Sequence, residues 1–119
     1  MQRRSTMARN REWLRTGSEF MLLALLSEQD MYGYEIIKQL EEKSDHTFEM
    51  KEGTLYPILH RLEASGFLKS YSKKGETGKE RKYYKITTSG RKQLIEEKAV
   101  WDQFSSSVQR VVQSAQFSV

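Results

Sequence analysis

The strongest constraint on what this chain can fold into is a change of hydrophobic period at Gly66. Before it, in KEGTLYPILHRLEASGF (Lys51 to Phe67), Leu55, Ile58, Leu59 and Leu62 recur at i, i+3, i+4 and i+7. That spacing predicts an α-helix with one apolar side, and such a side must face a core. At about 100° per residue the opposite side carries Pro57, His60 and Ala64, with Thr54, Tyr56 and Arg61 on its flanks. Gly53 or Thr54 is placed to cap the start, Pro57 to sit in or beside the first turn, and Gly66 to supply the C′ stop. After Gly66 the period falls to about two, so LKSYSK and RKYYKI read as the strands of a β-hairpin with KGETGKE at its tip.

Two further helices precede this pair. GSEFMLLALLSE, from Ser18, is apolar on most faces and is expected to be a short central helix capped by Ser18. MYGYEIIKQLEEKS, with Ile36, Ile37 and Leu40, is expected to be a second helix capped by Asp30, followed by a loop over Ser44 to Met50. Three helices and then a hairpin is the element order of a winged helix-turn-helix domain. The hairpin is also the basic pole, with Lys69, Lys73, Lys74, Lys79, Arg81, Lys82 and Lys85 against Glu76 and Glu80. In that arrangement the third helix suits a DNA major groove and the hairpin suits phosphates.

Thr87 then reads as an N-cap, and a long helix runs from about Thr88 to at least Val112. Leu94, Trp101, Val108 and Ala115 repeat at sevenfold spacing, with Phe104 and Val111 between, as in a coiled-coil seam. Charged residues make up 30% of the chain and apolar residues 37%, so one subunit has a small core. The seam is therefore expected to pack on a second copy, giving a homodimer. Trp101 and Phe104 near the two-fold could also leave a slot for a planar apolar ligand. Tyr32 and Tyr34 are expected in the core, with a ligand pocket as the alternative.

The remaining features narrow the function by exclusion. Net charge is +4, mildly basic, and the absence of cysteine rules out disulfides and thiolate metal sites. His46 and His60 have no neighbours at metal-ligand spacing, and Glu41, Glu42, Glu96 and Glu97 read as solvated helix surface rather than acid–base pairs. No metal, no cofactor and no enzyme chemistry is expected. The longest apolar run, Phe20 to Leu26, is seven residues, too short to cross a membrane. Residues 1–17 carry Arg3, Arg4, Arg9, Arg11 and Arg15 without a secretory signal, which points to a cytoplasmic protein with a basic, frayed arm ending in a helical turn.

Three blocks, GSEFMLLALLSEQDMYGYEIIKQLEE, EGTLYPILHRLEASGFL and RKYYKITTSGRKQL, closely resemble those of the PadR family of bacterial transcriptional regulators, over roughly residues 14–90. The resemblance implies a winged helix-turn-helix domain, a C-terminal helix that pairs two subunits, and negative control from a palindromic operator. It places Thr54, Leu55, Tyr56 and Pro57 at the start of the recognition helix. Leu55 is then the buried member, Tyr56 the phenol offered to DNA, and Lys51 a phosphate contact. Arg81, Tyr83 and Tyr84 match the second wing strand.

The sequence thus predicts a mainly α fold with a small β-hairpin: a basic arm (1–17), a winged helix-turn-helix domain (18–87), and a dimerisation helix and tail (88–119). The expected function is a dimeric repressor of double-stranded DNA, released by a small-molecule effector. Lys51, Thr54, Tyr56, Pro57, His60, Arg61, Lys73, Lys74, Lys79, Arg81 and Lys82 are its expected DNA contacts. Leu94, Trp101, Phe104, Val108 and Val111 are its expected dimer contacts. The alternatives are an adaptor that binds protein through the hairpin edge, and a small-molecule sensor that uses the dimer interface without controlling DNA.

Overall fold

The computed structural model describes residues 6–115 and 117, with side chains from Gly17 onward. In chain order the elements are α1 (Thr6–Glu28), β1 (Met31–Tyr32), α2 (Gly33–Lys43), α3 (Glu52–Ala64), β2 (Leu68–Lys74), β3 (Glu80–Ile86) and α4 (Thr88–Gln113). The three strands form one antiparallel sheet in the order β1-β3-β2. Three helices and a hairpin-based sheet make a winged helix, and α4 follows it.

The core is the place where the predicted stripe meets its neighbours. Leu55, Ile58, Leu59 and Leu62 of α3 are buried, together with Leu22, Leu23 and Leu26 of α1 and Ile36 and Leu40 of α2. The sheet closes the cluster. Its register pairs Leu68 with Ile86 and Ser70 with Tyr84, so Leu68, Tyr84 and Ile86 all point inward while Tyr71 and Tyr83 point outward.

The end of α3 and the start of α4 are joined at one node. Gly66, in the left-handed region at φ 81°, lets its own N–H reach the Glu63 carbonyl and the Phe67 N–H reach the Leu62 carbonyl, a Schellman stop. Thr87 caps α4 as expected: its Oγ1 accepts from the Gly90 N–H at 3.0 Å and donates to the Gly66 carbonyl at 2.7 Å. Its own N–H donates to the Phe67 carbonyl at 3.0 Å.

Several local expectations are corrected. Helix α1 begins at Thr6 and runs through Ser18, which is buried inside it and caps nothing, so the helix replaces the frayed arm from Thr6 on. Asp30 does not cap α2. Tyr32 holds that position, and the Glu35 carboxylate accepts its N–H at 3.3 Å. Neither Gly53 nor Thr54 caps α3: the helix starts at Glu52 with Lys51 at the N-cap, so Pro57 is an interior residue and the exposed Gly53 carbonyl lacks its helical donor. The two-residue strand β1 has no counterpart in the sequence reading.

The node leaves no room at Gly90. A Cβ there would collide with the Phe67 carbonyl oxygen and lie 2.7 Å from Ile86 Cγ1. Gly90→Ala should therefore destabilise the fold by about 1–3 kcal/mol, read as a lower midpoint in urea unfolding. An unchanged midpoint would contradict the tightness of this junction.

Candidate nucleic-acid interface

With its apolar stripe buried, α3 turns Thr54, Pro57 and His60 to solvent, and Lys51 is exposed at its N-cap. Tyr56 is partly covered, at 36% exposure, with its ring 6.4 Å from that of His60. Arg61 is set apart from this group. It lies on the flank facing α1, where its Nε is 3.3 Å from Glu19 Oε1 in an exposed ion pair. A pair of that kind contributes about 0–1 kcal/mol, so it directs Arg61 without locking it.

Strand alternation divides the cations of the wing between two faces. Lys73 and Arg81 stand directly opposite one another on the outer face, as do Lys69 and Lys85, with the Tyr71–Tyr83 pair between them. Lys74 and Lys82 lie on the core-side face, and Lys79 lies in the exposed loop between the strands. Like charges directly opposite in a sheet are destabilising. Three of the cations are held against aromatic faces: the Arg81 guanidinium is 4.4 Å from the Tyr32 centroid, Lys73 Nζ 5.3 Å from Tyr83, and Lys82 Nζ 5.4 Å from Tyr84. Each such contact contributes about 0.5–1 kcal/mol at an exposed site.

These rings continue into a row that the sequence reading missed. Tyr71 stacks on Tyr83 at 5.7 Å, Tyr83 meets Tyr32 edge-on at 5.4 Å, and Tyr32 stacks on Tyr34 at 6.5 Å. Neither Tyr32 nor Tyr34 is a core residue: the first is half-buried and the second 62% exposed. Alternation along the hairpin could have paired Tyr71 with Tyr83. Nothing in the sequence showed that a two-residue strand would add Tyr32. The row ends at Asp30, whose carboxylate accepts a 2.6 Å hydrogen bond from the Tyr71 hydroxyl.

Helix α4 carries a second exposed feature. Trp101, Phe104, Val108 and Val111 are open to solvent, as are Val100 and Val112, whereas Leu94 packs against the core of the domain. Phe20 of α1 meets Trp101 at 6.3 Å, and Trp101 meets Phe104 at 6.3 Å. These rings border a cavity of about 540 Å³ that Glu19, Arg61 and Glu97 also line. His46 serves its loop, with Nδ1 3.1 Å from Glu41 Oε1. Among the described residues no group of His, Cys, Asp and Glu is arranged to hold a metal ion, and no helix is long and apolar enough to cross a membrane.

Comparison with known proteins gives a consistent answer. Residues 22–96 match the profile of the transcriptional regulator PadR-like family. A transcriptional regulator from Mycobacterium tuberculosis is 32% identical over 98 residues, covering 82% of this chain and 88% of the relative. The solved structure of a transcriptional regulator from Clostridium thermocellum is 37% identical, covers 83% of this chain and 96% of its own, and superposes with a TM-score of 0.74. A PadR-like transcriptional regulator from Bacillus cereus is 33% identical, with coverage of 86% and 97% and a TM-score of 0.77.

The Tyr71–Asp30 contact has a pH signature. The hydrogen bond to the Asp30 carboxylate, then burial and the negative charge of Asp30, raise the Tyr71 pKa from 10.0 to about 12. A raised pKa means that the contact stabilises the fold fully below about pH 10 and ceases to do so as pH rises through about 12. The ultraviolet titration difference between wild type and Tyr71→Phe should have its midpoint near 12, and Asp30→Asn should move it toward 10. A midpoint that ignores the Asp30 change would show that the hydrogen bond is not its cause.

Proposed function

This chain belongs to the PadR-like family of transcriptional regulators, and on that premise we propose that it is a dimeric, cytoplasmic repressor that reads a palindromic operator in double-stranded DNA. The observation that carries this reading is the division of α3. Four apolar side chains are committed to the core, and a compact polar face is left beside a basic hairpin. Thr54, Tyr56, Pro57 and His60 are the groove-facing set, Arg61 reaches DNA from its flank once it leaves Glu19, and Lys51 is a phosphate contact. Lys73, Lys74, Lys79, Arg81 and Lys82 supply further phosphate contacts from the wing.

The exposed stripe of α4 supports pairing through Trp101, Phe104, Val108 and Val111, which sets two recognition helices about one turn of DNA apart. Leu94 is already engaged with the core of its own subunit, so it contributes less to that seam than its spacing implies. The cavity beside Trp101 and Phe104 supports release by a planar apolar effector, which would act by changing the angle between the paired helices.

Titration against duplexes from upstream of its own gene should show salt-sensitive, sequence-selective binding. No selective binding to any of them would reject the DNA reading in favour of a protein-binding adaptor. Tyr56→Ala should weaken selective binding by about 1–3 kcal/mol. Lys79→Ala should instead weaken binding to every sequence and flatten the salt dependence. Equal effects of both changes on unrelated DNA would remove this division of labour. Replacing Trp101, Phe104 and Val108 together with serine should give monomers in sedimentation, and an intact dimer would reject the α4 interface.

A further inference from the structure

The backbone of α2 does not require glycine at its first residue. Gly66 and Gly78 are the described glycines with positive φ, and Gly33 is not one of them. Alanine fits the first turn of a helix and also narrows the freedom of the unfolded chain, so on backbone grounds it would be the better residue. What excludes a side chain is Tyr56, five residues into α3. A Cβ built on Gly33 lies 2.5 Å from Tyr56 Oη and 3.1 Å from its Cζ, whereas Leu55 Cδ2, at 3.6 Å, is in ordinary contact. The phenol therefore rests on bare backbone at the start of α2.

We propose that Gly33 is a positioning residue for DNA recognition, its missing Cβ forming the seat that holds the Tyr56 phenol at one angle beside His60. The inference rests on the reading of Tyr56 as a groove contact and adds what fixes its orientation. An added methyl group has two ways to be accommodated. It can push α3 outward, which drags fully buried Leu55 and Leu59 with it, or it can swing the half-exposed phenol about its own torsions. The second is far cheaper, so the change falls on the phenol and leaves the core in place.

The seat is also tied to the wing. Tyr32, next in the chain to Gly33, lies under the Arg81 guanidinium and against the edge of Tyr83. Its register pairs it with Tyr83 itself. Adjacent residues thus set the angle of the groove-facing phenol and the place of a wing cation, which links the two parts of the interface without passing through the core.

The test uses the full chain, the duplex it enriches most strongly from a randomised pool, and a scrambled duplex of the same composition. Gly33→Ala should keep its thermal midpoint, lose about tenfold or more in affinity for the enriched duplex, and bind the scrambled one as wild type does. In a Tyr56→Ala background, Gly33→Ala should change nothing further, because the group it displaces is gone. Equal losses on both duplexes, or additivity with Tyr56→Ala, would overturn the proposal. If the single variant unfolds, the double variant decides: a folded double with the binding of Tyr56→Ala alone supports the seat, and an unfolded one overturns it. A wild-type protein that enriches no duplex would remove the DNA reading itself, and this proposal with it.

Discussion

Burial of one side of α3 is the constraint from which the rest of the molecule follows. Leu55 and Leu59 are fully inaccessible and Ile58 and Leu62 nearly so, packed among Leu22, Leu23 and Leu26 of α1, Ile36 and Leu40 of α2, and Leu68 of the sheet. Burying such a side chain contributes about 1.5–3 kcal/mol, and that figure is an upper one because unfolded chains already hide some surface. Four of them together are comparable with the whole net stability of a small domain. Turning α3 about its axis by even one residue would forfeit most of that. The polar face of the helix is therefore fixed by the core, and its direction does not depend on what it meets.

The same logic carries the pose of α3 to α4. Leu62, Glu63, Gly66, Phe67 and Thr87 form a short chain of backbone and hydroxyl hydrogen bonds between 2.7 and 3.0 Å, and Gly90 brings α4 close enough to touch the Phe67 carbonyl. Hydrogen bonds of this kind stabilise by only about 0.5–1.5 kcal/mol each, but they are directional. They leave little play between the end of one helix and the start of the other. In the proposed dimer, a change in how two copies of α4 cross would therefore move the two copies of α3 with them, with no need for the domain itself to deform.

Much of this was legible in the sequence, and the exceptions have physical causes. The stripe of α3, the hairpin, the Gly66 stop and the Thr87 cap are local patterns, and each lies where its spacing put it. The residues before Ser18 lack an apolar stripe, which suggests a cap there, yet Arg, Glu and Met are good helix formers and the helix extends back through them. Asp30 looked like a cap by its place before a helix, but its partner is Tyr71, 41 residues away. Arg61 sits on a flank from which either the groove or α1 can be reached, and in the unbound chain it faces Glu19, 42 residues earlier. Strand β1 is two residues long, too short for any period to show. For Asp30 and β1 a distant partner decides, whereas for Ser18 the local signal itself pointed two ways.

The wing and α4 depart from what stability alone would select, and they do so in complementary ways. Lys69 opposite Lys85 and Lys73 opposite Arg81 put like charges at the closest cross-strand positions, a cost that the rings of Tyr32 and Tyr83 offset only in part. An isolated domain gains nothing from such pairs, whereas a polyanion along that face would neutralise them and release its counterions. Helix α4 exposes Phe104 and Val111 at 61% and 72%, surface that an isolated chain would do better to lose. The cation-rich edge and the apolar stripe are therefore unfinished in opposite senses, one lacking negative charge and the other lacking apolar cover. In the proposed dimer on DNA, a second copy would supply the cover and the nucleic acid the charge. The close-packed core stands between them, so in the proposed complex the crossing of the two α4 helices would set the spacing of the two recognition helices.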